Sequence, residues 1–130
     1  MEQRLMNAEP ATHAGAVRRF TDASYAPLAA NLAEVRANID RLDDAIVALI
    51  AERAMYVKDA TRFKRDAFQV SAPARQAEVF AKVRTLAAKH DRGFAQLPDV
   101  VEAAYRAMVA AFIANEQTYF SQTEIIGDQP

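Results

Sequence analysis

The 130-residue chain contains no cysteine, and it has only three glycines and five prolines. Without cysteine it can form neither a disulfide scaffold nor a cysteine-ligated zinc site, and it has no thiol nucleophile. So few glycines and prolines cannot supply the turns of a β-sandwich or barrel, which recur about every 8–12 residues. Because the remaining composition is rich in alanine, leucine, glutamate, lysine and arginine, it predicts an all-α protein.

The sequence also has no excess of charge of one sign and no long apolar run. Sixteen basic residues balance seventeen acidic ones, so the net charge of −1 gives no basic surface for bulk nucleic-acid binding. No run of about 18 apolar residues could span a membrane, and the first residues lack the apolar segment of a signal peptide. We therefore expect a cytoplasmic protein with neither nucleic-acid nor membrane partners.

The chain is long enough for one helical domain, which we place at residues 28–125. Residues 1–27 are alanine-rich and interrupted by Pro10, Gly15 and Pro27, so we expect an N-terminal arm or tail. The apolar residues with which such an arm could dock are Val17, Phe20, Tyr25 and Leu28.

From Asn31 to about residue 65 there is no glycine or proline, and apolar positions recur in alternating steps of three and four. These seam positions are Leu32, Val35, Ile39, Leu42, Ile46, Leu49, Arg53, Tyr56, Ala60 and Phe63. The repeat predicts one long helix, with Asn31 as N-cap and Glu34 as its capping-box partner. Thirty-five residues give roughly 52 Å of helix, whereas a compact domain of this size is about 36 Å across. A second copy must then cover part of the seam, so we predict a homodimer with its long helices side by side.

Two further helices complete the predicted architecture. Residues 66–72 show no helical pattern and are predicted as a loop. Pro73 suits the first turn of a second helix that ends near His90, and Pro98 begins a third that fades by Gly127. The predicted buried face of the second helix consists of Phe80, Val83, Leu86 and Ala87, and the inner stripe of the third of Val101, Tyr105, Met108, Phe112 and Tyr119.

Several charged residues stand in unexpected places on these helices. Arg53 occupies a seam position, so it either snorkels, pairs internally or belongs to an anion site. Arg36 and Lys64 lie beside the seam about 42 Å apart, too far to reach one small ligand within a chain. They are either solvated flanks or, in an antiparallel helix pair, parts of two sites in which Arg36 approaches Arg53 of the partner. A first-turn cation such as Arg75 opposes the helix dipole unless an anion sits there, so it is a surface arginine or an anion contact.

The remaining polar candidates are weaker. Glu116 follows Phe112 by four residues, so it is either a paired structural carboxylate at the edge of the stripe or a site residue. His13 and His90 have no metal-ligand spacing, and no Glu-x-x-His pair exists, so we expect no metal and no cofactor.

Residues 32–64, LAEVRANIDRLDDAIVALIAERAMYVKDATRFK, resemble the all-helical chorismate mutase family. The family pattern is R-x-x-I-D-x-L-D, then A-E-R, then a lysine eleven residues after that arginine. It is matched by Arg36, Ile39, Asp40, Leu42, Asp43, Arg53 and Lys64. The similarity continues through residues 72–80 and the third helix. The resemblance implies the three-helix chorismate mutase type II fold, as an intertwined homodimer with shared active sites and no cofactor.

The resemblance also implies roles in binding a small dicarboxylate, chorismate or isochorismate. Arg36 of the partner chain would bind one carboxylate, and Arg53 would bind the other near the breaking ether bond. Lys64 would donate to the ether oxygen and a carboxylate. Arg75 would support the carboxylate at the ring end, and Glu116 would face Lys64 across the ether oxygen.

Three positions depart from the mutase pattern. Gln76 stands where many mutases have a glutamate that accepts the ring hydroxyl, and Ala72 where some have an aspartate. Glu116 stands where bacterial mutases and the lyase usually have glutamine, although some fungal mutases use glutamate and act best in acid. Residues 56–64, the sequence around Arg75 and residues 112–123 look like the isochorismate pyruvate lyase branch. Chorismate mutase is the main hypothesis; the alternatives are isochorismate pyruvate lyase, giving salicylate and pyruvate, and a non-catalytic dimerisation or regulatory module.

Overall fold

The computed structural model describes residues 8–127, whose regular secondary structure is entirely helical. The elements are α1 (Leu32–Ala60), a short 3₁₀ helix (Thr61–Phe63), α2 (Ala67–Ser71), α3 (Pro73–His90) and α4 (Leu97–Phe120). The predicted all-α class, with three main helices of which the first is longest, is confirmed. No helix in this part of the chain has the length and hydropathy needed to cross a membrane. The chain divides into two compact units, one ending at Ala51 and one beginning at Glu52.

Hydrogen bonds from residues before the helix and from its own first turn cap the N-terminus of α1. The Asn31 side chain accepts a hydrogen bond from the Glu34 backbone N–H at 2.9 Å, which confirms Asn31 as the N-cap. The Glu34 carboxylate accepts from the N–H of Ala30, one residue before the position that a standard capping box uses. The Ala33 N–H donates to the carbonyl of Thr12 at 2.8 Å. This bond ties the N-terminal arm to the first helical turn and satisfies a donor that the helix itself leaves free.

Apolar surface remains uncovered in the first unit. The seam residues Val35, Ile39, Leu42, Ile46 and Leu49 are 39–65% exposed, and no residue of α1 is buried. In the arm, the rings of Phe20 and Tyr25 contact each other with centroids 4.5 Å apart, while Val17 and Leu28 are almost fully exposed. The first-unit heptad positions therefore form a partly exposed apolar stripe along α1.

The segment predicted as a loop, residues 66–72, contains the one-turn helix α2. The Asp66 side chain caps it by accepting from the Gln69 N–H at 2.8 Å, and the Gln69 side chain accepts from the N–H of Arg65 at 2.6 Å. Ala72 then adopts a left-handed conformation, with φ of 44°, which ends α2 and turns the chain into α3. Five residues are too few for a hydrophobic period to show, so only the cap signalled this helix in the sequence.

The core of the second unit forms where α4 packs against α3, α2 and the 3₁₀ helix. Its buried apolar residues are Val70, Phe80, Val83, Ala87 and Val109. The predicted buried face of α3 is confirmed at Phe80, Val83 and Ala87, whereas Leu86 is 39% exposed. On α4 the buried residues are Val109 and Glu116. The predicted stripe residues Val101, Tyr105, Met108 and Phe112 are half-buried, and Tyr119 is 37% exposed.

Candidate active site

A cavity of about 300 Å³ opens within the second unit. It is lined by the last turns of α1, by α2, by the first turns of α3 and by the second half of α4. Its polar lining includes Arg53, Lys64, Arg75, Gln76 and Glu116. Much of the remaining wall is apolar and comes from Val57, Val70, Val79, Val109, Phe112 and Ile113. An apolar cleft with a few convergent polar groups is typical of a small-molecule site. The fold thus brings together residues that are spread over more than sixty positions of sequence.

Arg53 is half-buried near the end of α1, and its contacts are aromatic. Its guanidinium carbon lies 5.5 Å from the ring centroid of Phe112 and 5.8 Å from that of Tyr105, both on α4. Within residues 8–127 no carboxylate lies within ion-pair distance of it. Aromatic faces attract a cation but do not neutralise it. The internal ion pair considered from the sequence is not formed here, and the charge of Arg53 is left for an anion.

Lys64 lies beyond the helix in which the sequence placed it. α1 ends at Ala60, the chain tightens into the 3₁₀ turn, and Lys64 has extended backbone angles of −104° and 137°. Its Nζ donates to the carbonyl of Gln69 at 3.1 Å. An ammonium has three donors, so this bond fixes the side chain while leaving others for a ligand.

The two site residues at the start of α3 are held by local contacts. Arg75 is exposed and pairs with the carboxylate of Glu78 one turn later. The Gln76 side-chain amide N–H donates to the Ser71 carbonyl at 2.6 Å. With its nitrogen engaged there, the amide oxygen of Gln76 is the atom left to accept a hydrogen bond from a ligand.

Glu116 is 6% exposed, and its Oε1 is buried without a hydrogen-bond partner. Burial raises the pKa of its carboxyl above the usual 4.5, because the charged form is poorly solvated. The charge of Lys64 and the hydroxyl of Thr61 act in the opposite direction and lower that pKa. The net effect is a raised pKa, so the protonated form of Glu116, which can donate a hydrogen bond, persists to higher pH than in an exposed glutamate.

Thr61 is the polar residue of this region that the sequence reasoning missed. It is 2% exposed, and its hydroxyl oxygen is buried without a partner of good geometry. Thr61 follows Val57 by four residues and precedes Lys64 by three, so helical spacing places it on the same stripe. That spacing was the available signal.

Arg36 is an exposed residue of α1 in the first unit, and its role across a dimer interface stays a prediction. In the range that the structure describes, no group of three histidine, aspartate or glutamate side chains could hold a metal ion. The side chains that line the cavity can bind carboxylates through cations, donate hydrogen bonds and form an apolar wall around a ligand.

Comparison with known proteins agrees with this arrangement. Residues 35–117 match the sequence profile of the family described as chorismate mutase type II. The chain is also similar to a chorismate mutase of Methanocaldococcus jannaschii, at 34% identity over 61 residues. That alignment covers 46% of this chain and 62% of the relative, so the chain spans less than two thirds of the relative's length.

Proposed function

Because the chain belongs to the chorismate mutase type II family, we propose that its cavity binds chorismate and catalyses its rearrangement to prephenate. One observation carries the proposal: Arg53, Lys64 and Arg75 converge on an apolar cavity that the buried Glu116 also lines. Chorismate has two carboxylates and an ether oxygen on a compact ring. Cations match the carboxylates, and the apolar wall suits the ring.

The rearrangement needs no nucleophile and no proton transfer. The ether C–O bond breaks as a new C–C bond forms in a single cyclic electron shift. A protein accelerates such a step by holding the reactive conformer and by stabilising negative charge that builds on the ether oxygen. Arg53 supplies the cation that has no carboxylate partner, and Lys64 supplies ammonium donors anchored by the Gln69 carbonyl.

Glu116 is assigned to the ether oxygen as a protonated donor. An ionised carboxylate would repel the charge that develops there, whereas the neutral acid donates a hydrogen bond to it. Burial already favours the neutral form, and a bound dianion acts in the same direction.

The complete site is proposed to form in a homodimer, with Arg36 of one chain binding a carboxylate in the cavity of the other. The support is the apolar stripe of α1, which is half-exposed in the first unit and has the seven-residue spacing of a helix–helix seam. Two equivalent sites would result, each built from both chains.

Pyruvate elimination from isochorismate is the second candidate. It is favoured by Gln76, which replaces the glutamate expected in many mutases and whose amide is held by Ser71. A neutral acceptor here changes how the ring hydroxyl is recognised, and that hydroxyl is where chorismate and isochorismate differ.

Two assays on the same preparation test the proposal. Loss of chorismate is followed by its ultraviolet absorbance, and salicylate formation from isochorismate by fluorescence. We expect turnover of chorismate, and faster salicylate release would instead favour the lyase. Flat traces with both substrates would contradict both candidates and favour a non-catalytic helical module.

A further inference from the structure

Two buried polar atoms near the cavity lack partners: Oγ1 of Thr61 and Oε1 of Glu116. Both residues are more than nine-tenths buried. They lie on elements that pack against each other, the 3₁₀ helix and α4. An unpaired buried hydroxyl and an unpaired buried carboxyl oxygen are both unfavourable, and each can satisfy the other.

We propose that Thr61 is a positioning residue for Glu116: its hydroxyl donates to Oε1 and leaves Oε2 to face the reacting ether oxygen. This inference rests on the proposed function of Glu116. The Thr61 hydroxyl already lowers the pKa of Glu116, which places the two side chains near each other. With Oε1 accepting from Thr61, the proton of the neutral acid resides on Oε2, where it can be donated to the substrate.

The ionisable groups that share the cavity with Glu116 all come from other elements. They are Arg53 and Tyr56 of α1, Lys64 after the 3₁₀ helix and Arg75 of α3. α2 contributes no ionisable side chain. Of these groups Lys64 lowers the pKa of Glu116, burial raises it more, and the Thr61 hydroxyl acts in the same direction as Lys64.

Removing the Thr61 hydroxyl should therefore shift the pKa of Glu116 in a predictable direction. Thr61→Val keeps the shape of the side chain but removes the donor, and the charged form of Glu116 loses a hydrogen bond. The pKa of Glu116 should rise, and the decline of kcat/KM with increasing pH should move to higher pH. Orientation of the donor is lost as well, so we expect kcat to fall roughly 5–10-fold with KM little changed.

The test combines kinetics with direct titration of Glu116 by carboxyl ¹³C NMR in the full chain. Thr61→Ser keeps the hydroxyl, so the midpoint of the Glu116 titration should equal that of the parent protein. Thr61→Val should raise this midpoint. The pair Thr61→Ser and Thr61→Ala repeats the comparison in smaller side chains if valine disturbs folding. Thr85→Val, on the exposed surface of α3, is the matched control.

Two results would overturn the inference. The first is an NMR midpoint for Glu116 that is the same in Thr61→Val and the parent. The second is a shift in Thr61→Ser as large as that in Thr61→Val. Absence of chorismate turnover in every protein would contradict the proposed function, but the titration would still decide whether Thr61 bonds to Glu116. In the Glu116→Gln background, Thr61→Val should leave the pH profile unchanged.

Discussion

Opposing forces act on the Glu116 carboxyl. Burial among apolar side chains raises its pKa, while the positive charge of Lys64 and the Thr61 hydroxyl lower it, and burial is the larger effect. Arg53 is in the reverse situation: a cation held by aromatic faces, with no carboxylate partner within residues 8–127. The cavity is thus lined by a cation without a carboxylate partner in the described residues and by a carboxyl whose pKa is raised. The proposed dianionic substrate would balance the charge of Arg53 and raise the pKa of Glu116 further.

Catalysis should depend on pH through Glu116. We expect kcat/KM for chorismate to rise as the pH falls from about 8 to 5, because the carboxyl becomes protonated and able to donate. Glu116→Gln keeps a donor at every pH and should flatten the profile. If the parent enzyme shows no pH dependence over this range, Glu116 is not the donor to the ether oxygen.

The same carboxyl links pH to folding. Its pKa is higher in the folded than in the unfolded chain, so its contribution to stability is complete below the unfolded value and lost as the pH rises through the folded value. Glu116→Gln should therefore gain stability relative to the parent as the pH increases from 4 to 8. Urea unfolding of both proteins at pH 4 and at pH 8 measures the difference between their free energies of unfolding. The same difference at both pH values would contradict this prediction.

Arg53→Ala and Lys64→Ala should each lower kcat/KM by about 10²–10³, equivalent to roughly 2.7–4 kcal/mol of transition-state stabilisation. Neither makes an ion pair that holds the described fold together, so the helix content by circular dichroism should stay near that of the parent. Lys82→Ala removes an exposed cation of α3 and should be active. Equal losses in all three variants would point to general electrostatics and not to the site.

At the scale of elements, the connection between α1 and α3 forms much of the site. The 3₁₀ turn redirects the chain after Ala60, and α2 presents the Gln69 carbonyl that anchors Lys64. Gln117 of α4 donates to the Ala67 carbonyl at 3.0 Å, which joins α2 to the helix carrying Glu116. So short a helix has little stability alone, and its cap and these contacts maintain it.

Asp66→Ala should weaken this connection. The change removes the N-cap of α2, and we expect a loss of about 1 kcal/mol in the free energy of unfolding. Because the Gln69 carbonyl then holds Lys64 less firmly, KM for chorismate should also rise. Asp66→Asn keeps a capping oxygen and is the matched control; equal effects in both variants would show that the charge, not the cap, matters.

At the scale of the whole molecule, the α1 seam is an apolar surface that is partly exposed. Its first-unit residues from Val35 to Leu49 are apolar, regularly spaced and partly exposed. Single exposed apolar residues are ordinary, but a continuous stripe at heptad spacing is typical of an interface. A second copy supplies an identical stripe, which is the basis of the proposed dimer.

Sedimentation at micromolar concentration should give about twice 14.4 kDa. Arg36→Ala and Arg53→Ala should each be inactive alone, yet mixing them with subunit exchange should restore roughly a quarter of the sites, because each mixed dimer has one intact site. A folded monomer would contradict the dimer. Activity that stays at background after confirmed exchange would contradict the contribution of Arg36 from the partner.

The sequence by itself determined the helical class, the long first helix, the N-cap Asn31 and the start of α3 at Pro73, because these depend on spacing and on neighbours a few residues away. It also singled out Arg53, since a cation in an apolar repeat is visible without a structure. Only the tertiary structure decided that Lys64 leaves the helix, that Glu116 is buried and that Thr61 lies near it. Those facts arise from packing between segments far apart in the chain, which sets a degree of burial and desolvation that helical spacing alone does not fix.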